Sequence, residues 1–291
     1  METIPLNSAT GPSMYNQYTS PGFDVPHPDA VWEACQTPSN LIFCHGVTVA
    51  KLSPEVVVKF GAHVKTIEAK NMIYVAQNSR VPLPKVFAYY TYGPIDRDID
   101  DYGSLYDTYI FMSFIGGNTL HDSWESLDET SKCRVSSQLA SYVQEIRDMN
   151  SVGYIGSVDN GPVTDHSLST SPDKGPFKSE QDFNIALLDT YQRRAPKRHI
   201  KSFLNGMLSR SHKIVFTHGD LRPQNIMIED EGVVAIIDWE MSGWYPEYWE
   251  FTKAFLIWGW QNDWTDYLMK ILQPYHAEHF IHSFLMQKLM Y

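Results

Sequence analysis

Between residues 215 and 240 the chain places His218, Gly219, Asp220 and Asn225 ahead of a second acidic position, Asp238, reached through Ile236 and Ile237. Two carboxylates and a carboxamide delivered by adjacent strand ends can hold a metal-bound triphosphate and take a proton from a hydroxyl. Asp220 suits proton acceptance. Asn225 and Asp238 suit coordination of a divalent cation through oxygen. Each of these residue types faces solvent in most contexts, and only the ordered set brings metal and base roles together. Far upstream, Lys59 closes the apolar run 56–58, and Glu68 follows on a predicted helix, where its carboxylate can orient the Lys59 ammonium toward phosphates.

These groups need rigid elements to position them. Residues 41–44, 47–49 and 56–59 read as short strands punctuated by Gly46 and Ser53-Pro54. Residues 64–78 carry an imperfect helical stripe through Val64, Ile67 and Ile73, ended by Pro82 and Pro84. Strands follow near 86–90 and 109–114, with a solvated loop or hairpin tip at 96–103. Gly116-Gly117 then breaks the pattern, and helices dominate, at 136–149, 180–191, 198–208 and 246–290. A Ser-, Gly-, Pro- and Asp-rich loop spans 156–176. Residues 213–216, 225–228 and 233–237 read as the strands that deliver the acidic motif. The expected fold class is α+β, with a small sheet-containing N-lobe and a larger, mainly helical C-lobe. The expected divisions are an N-terminal arm at 1–38, a nucleotide-binding N-lobe at 39–115 and a catalytic and acceptor-binding C-lobe at 116–291.

The run His218-Gly219-Asp220-Leu221-Arg222-Pro223-Gln224-Asn225-Ile226, followed by Ile237-Asp238-Trp239-Glu240, resembles the catalytic segment of the aminoglycoside phosphotransferase family. That family is part of the protein-kinase-like superfamily. The likeness runs more loosely over residues 41–258, and the segment 175–183 resembles fungal members. It implies a bilobal kinase-like fold, with Asp220 as the catalytic aspartate, Asn225 as a metal ligand and Asp238 as the principal metal-binding aspartate. It points to the same Lys59–Glu68 pair for the phosphates, and it implies ATP and Mg2+ as cofactors, with GTP open. Met112, Ser113 and Ile115 resemble the segment that joins the lobes, with backbone groups for a purine and Met112 as an apolar wall. Gly46 would punctuate the phosphate-covering hairpin, although no Gly-x-Gly-x-x-Gly precedes Lys59. Arg222 is read either as neutralising the transferring phosphoryl group or as bracing the loop by a salt bridge. His218 is expected to brace the loop rather than act as base.

A formal net charge of −11 argues against sequence-independent nucleic-acid binding, which needs cations to displace counterions. It is compatible with a cationic acceptor. Glu240, Glu247 and Glu250, interleaved with Trp244, Tyr245, Tyr248 and Trp249, are expected to offer such an acceptor acidic and aromatic groups. The absence of a signal-like start, of a long apolar run and of paired cysteines among Cys35, Cys44 and Cys133 points to a cytoplasmic protein with no membrane partner. A monomer or weak homodimer is expected. The chemistry expected is Mg2+-dependent transfer of a γ-phosphoryl group to a small hydroxyl-bearing molecule. The competing reading is a nucleotide-binding regulatory protein without turnover.

Overall fold

The computed structural model describes residues 11–44, 46–194, 197–208, 210–256 and 262–289, apart from the Lys288 side chain. The chain divides into two compact units. One comprises Met1–Ala69 and Lys85–Phe114, the other Lys70–Pro84 and Ile115–Tyr291.

The first unit is built on a six-stranded, wholly antiparallel sheet. Its strands are β1 (Ser13–Thr19), β2 (Leu41–Cys44), β3 (Thr48–Lys51), β4 (Val56–Gly61), β5 (Val86–Gly93) and β6 (Asp107–Ser113), in the order β1-β5-β6-β4-β3-β2. Successive side chains of a strand point to opposite faces. In β4 this sends Val58 and Phe60 into a core shared with Ala50, Tyr90, Tyr109 and Phe111, and sends Lys59 to the other face. Phe60, Tyr109 and Tyr90 stack in sequence at centroid distances of 5.0 and 4.9 Å, so the aromatic face is filled without polar atoms beyond the tyrosine hydroxyls.

Within the segment read as an arm, residues 1–10 lie outside the described residues. β1 pairs with β5 as an edge strand, and helix α1 (Pro28–Cys35) drops Val31 into the aromatic core. Residues 96–103, expected as loop, contain a single turn of helix, α3 (Ile99–Tyr102). Asp98 caps its first turn at 2.8 Å, and Gly103 closes it in the left-handed conformation. Helix α2 (Thr66–Asn78) starts in the first unit and ends in the second.

The second unit is mostly helical, with α4 (Leu120–Ser123), α5 (Glu129–Arg147), α6 (Glu180–Arg194), α7 (Arg198–Met207), α8 (Trp249–Leu256), α9 (Trp264–Ile271) and α10 (His276–Leu289). Helix α5 is capped by Asp128, whose carboxylate accepts from Ser131 N at 2.7 Å, and it buries Val135, Leu139, Val143 and Ile146 along one face. Two small sheets serve the acidic motif. β7 (Asn118–Thr119), β9 (Ile226–Glu229) and β10 (Gly232–Ile236) form one in the order β10-β9-β7, and β8 (Ile214–Thr217) pairs with β11 (Gly243–Pro246) in the other. A sheet-rich N-terminal region and a helix-rich C-terminal region match the α+β class expected. Among the described residues, no helix is long and apolar enough to cross a membrane.

Candidate active site

Strand β8 ends at Thr217 and hands the chain to His218, Gly219 and Asp220. His218 is buried, and burial is the chief reason its imidazole is pushed down to about 4. Neutral, it donates from Nε2 to Ile237 O at 3.1 Å and accepts the Asp220 N–H on Nδ1 at 3.2 Å. It braces the loop, as expected. Asp220 is 5% exposed. Its Oδ2 accepts the Asn225 amide at 2.7 Å and lies 3.1 Å from Arg222 Nε, an ion pair without hydrogen-bond geometry. Its Oδ1 accepts no hydrogen bond among the described residues. Burial raises this carboxyl to about 6; Arg222 opposes the shift and Asp238 adds to it. At neutral pH the group is therefore largely a carboxylate, with one oxygen tied and the other available.

Asp238 follows β10 in the left-handed conformation, at φ +65°, which costs a residue with a side chain roughly 1–2 kcal/mol. Carbonyls on both sides of it are held. His218 takes Ile237 O, and the Asn71 amide donates to Trp239 O at 2.8 Å and to Ser242 O at 3.1 Å. The Ser242 hydroxyl in turn donates to His218 O at 2.9 Å, which joins the two loops. They approach so closely at Gly219, φ +83°, that a Cβ there would lie 2.7 Å from Met241 O. Trp239 is fully buried, donating to Ile236 O at 2.8 Å and meeting the His218 ring edge-on, so it packs rather than covers a ligand.

Glu250, at the start of α8, is where the structure corrects the sequence reading. Its carboxylate is buried and accepts the backbone N–H of His218 at 2.7 Å and of Gly219 at 3.2 and 3.3 Å. Burial pushes it up to about 7 against the pull of those two donors. It holds the Asp220 loop and is not a surface group for an acceptor. Trp244, Tyr245, Tyr248 and Trp249 are each at most 1% exposed and pack in the core of the second unit. Glu247 fastens the end of the β8–β11 pair, donating from its N–H to Lys213 O at 2.8 Å. An acidic, aromatic stretch reads alike as pocket and as core, because composition does not show which way side chains point.

In the first unit, Lys59 donates to Glu68 Oε1 at 2.9 Å and lies 2.8 Å from Oε2, with both groups almost fully buried. Gly46 lies between β2 and β3 at φ +76°; its neighbour His45 is outside the described residues. Met112 is buried in β6 opposite Val57 and Val86. Ser113 donates its N–H to Lys85 O, and its hydroxyl oxygen accepts the Lys85 N–H, both at 2.9 Å. Ile115 is half-buried and opens the second unit's long segment. The structure thus brings Lys59 and Glu68 together, and separately His218, Asp220, Arg222 and Asn225. Asn71, Ser242 and Glu250 were missed as parts of the motif's support. A polar residue inside an apolar helical stripe, as Asn71 is, is the one signal that pointed to it.

The donor set suits a hard divalent cation. Asn225 turns its NH2 toward Asp220, at 2.9 Å from O and 2.7 Å from Oδ2, and its side-chain oxygen accepts no hydrogen bond among the described residues. Asp238 would add a charged oxygen to such a set, on a backbone held at the carbonyls of Ile237 and Trp239.

Comparison with known families matches residues 53–281 to the model described as the phosphotransferase enzyme family, APH. Comparison with curated proteins gives no match. Among solved structures, a thermostable mutant of aminoglycoside phosphotransferase APH(4)-Ia, in ternary complex with ADP and hygromycin B, is 15% identical at a TM-score of 0.59. The alignment covers 90% of this chain and 91% of that one. The crystal structure of aminoglycoside phosphotransferase APH(4)-Ia itself is 15% identical at 0.55, covering 90% and 88%. A streptomycin–ATP–APH(2")-IIa ternary complex is 12% identical at 0.54, covering 90% and 87%. At such identities the likeness is one of fold.

Proposed function

This chain belongs to the phosphotransferase enzyme family, whose members phosphorylate hydroxyls of small molecules, and we propose that it uses ATP and Mg2+ with Asp220 as the base. The observation that carries the reading is the division of labour within one carboxylate: Oδ2 is tied to Asn225 and Arg222, and Oδ1 is left for a hydroxyl. On this reading Asp220 Oδ1 takes the acceptor's hydroxyl proton as the acceptor oxygen bonds to the γ-phosphorus and the bond to the β-phosphate oxygen breaks. Arg222 keeps Asp220 Oδ2 in register and holds positive charge beside the reacting group. Asn225, through its side-chain oxygen, and Asp238 would hold Mg2+, which when bound offsets phosphate charge. Lys59, fixed by Glu68, would bind the nucleotide phosphates. Gly46 would cover them from the β2–β3 turn. Met112, Ser113 and Ile115 would meet the base, with GTP an alternative to ATP.

The finer substrate reading is an acceptor that carries an amine. The net charge of −11 and the hygromycin B and streptomycin bound in related structures support it. Glu250 and the buried aromatic residues no longer do. The fungal-type assignment rests on residues 175–183, and we read the protein as a cytoplasmic monomer or weak homodimer. We retain the division into an arm at 1–38 and lobes at 39–115 and 116–291 as a reading of how the roles are distributed. Incubation with MgATP and a panel of amino alcohols, sugars, choline-like amines and aminoglycosides tests the function: an acceptor-dependent phosphorylated product is expected. Nucleotide binding without product across the panel would count against it.

A further inference from the structure

Residues 190–219 contain seven Lys and Arg and no Asp or Glu, in a chain whose net charge is −11. Three of these cations line a groove of about 920 Å³ between α6 and α7, a volume in the range of small-molecule sites. Arg198, Lys201 and Arg210 line it, together with Gln181 and Gln192 and an apolar floor that includes Leu188. None of these residues belongs to the set assigned to phosphoryl transfer.

The acidic groups on the surrounding elements are already engaged. Glu180 accepts from His212 N at 2.9 Å and meets His212 Nδ1 at the same distance. Asp189 pairs with Lys201, whose ammonium has two further N–H donors. Arg198 has no hydrogen-bond or ion-pair partner among the described residues. Among the described residues the Arg210 guanidinium reaches only Asn205, through two long contacts of 3.4 Å. Gln192 lines the groove, and its Oε1 is a buried amide oxygen without a hydrogen-bond partner among the described residues. Convergent cations call for an anion, and a spare acceptor beside them calls for a donor on the same molecule.

We propose that the groove between α6 and α7 is a second ligand site, for a small hydroxylated organic anion bearing a phosphate or carboxylate. The site is independent of the phosphotransferase reading. Its affinity comes from guanidinium and ammonium contacts to the anionic group, so it weakens with salt. Its selectivity for a hydroxylated body comes from the amide groups.

The test is calorimetric titration of the full chain with glucose 6-phosphate, glucuronate and glucose, with and without saturating MgADP. The expected result is binding of one or both anions, no binding of glucose, no competition by MgADP, and weakening as salt is raised. Binding of the phosphate ester alone, or of both anions, distinguishes the two head groups, and either supports the site. Arg198→Gln should weaken binding by about tenfold and Arg198→Gln/Arg210→Gln by more, as expected for loss of charge-assisted hydrogen bonds. Unchanged thermal melts and phosphotransferase activity would show that the variants are folded. Failure of both anions to bind, equal binding of glucose, displacement by MgADP, or unchanged affinity in the double variant would overturn the proposal. So would a result in which neither anion binds but the wild-type chain alone sediments with phosphatidylserine vesicles. That outcome would assign the basic segment, with the exposed Phe203 and Met207 of α7, to a lipid surface.

Discussion

The Glu250 carboxylate accepts the His218 N–H at 2.7 Å, across 32 positions of sequence, and so fixes the backbone that presents Asp220. Because burial raises the folded-state value of Glu250 from 4.5 to about 7, ionising it opposes folding. Its contribution is fully present below the unfolded value and is lost as pH rises through about 7. The wild type should therefore lose stability relative to Glu250→Gln, which does not titrate, as pH goes from about 4.5 to 7. The span of that loss is about 3 kcal/mol at most. Paired urea melts across this range check it; a pH-independent difference would contradict the assignment.

At Gly219 the backbone has φ +83° and a Cβ would stand 2.7 Å from Met241 O. Gly219→Ala should cost about 2 kcal/mol or more, from left-handed backbone strain together with the clash against a carbonyl. Thermal melts report the loss, and turnover should fall as well, because the Asp220 loop must move to relieve the contact. A variant with wild-type stability and turnover would show that the two loops are not locked together there.

Removing one partner of the buried Lys59–Glu68 pair takes away the opposite charge that its partner holds at 2.8–2.9 Å. Lys59→Met and Glu68→Leu should each destabilise by about 3 kcal/mol or more, and the double variant should recover part of that. Urea melts of the four proteins give the coupling directly. Simple additivity would mean that the pair is not formed in solution.

How much of this was legible follows from where each signal is written. Lys59 at the end of the apolar run 56–58 and the ordered Asp220, Asn225 and Asp238 are each written within a short stretch of sequence, so both sets were legible as candidates. β1 was not, because a polar edge strand looks like loop until its partner β5 is known. Glu250 was not, because an acidic residue becomes a loop clamp only through a contact 31 and 32 positions away. The aromatic run 244–249 carries no period that separates a pocket wall from a packed core.

Asn71 donates to Trp239 O and Ser242 O, and so holds the turn after the left-handed Asp238. In Asn71→Ala the two carbonyls lose their donor and Asp238 loses one of its restraints. Mn2+ binding in the presence of ADP, followed by paramagnetic resonance, should weaken by about tenfold, equivalent to about 1.4 kcal/mol. Unchanged metal affinity in a folded variant would limit Asn71 to packing.

Asp220 and Asp238 carry separate roles in the proposed reaction, and the decisive measurement compares Asp220→Asn with Asp238→Asn under saturating acceptor. Nucleotide affinity is followed separately as Mg2+ is varied. Asn is tolerated at positive φ, so Asp238→Asn removes the charge while keeping the backbone. Asp220→Asn should keep MgATP affinity and lose about 10²–10⁴-fold in kcat, the usual worth of a positioned proton acceptor. Asp238→Asn should instead weaken the Mg2+-dependent part of nucleotide binding and lower turnover with it. Wild-type turnover in Asp220→Asn, together with normal MgATP binding in Asp238→Asn, would contradict the assignment of base and metal ligand.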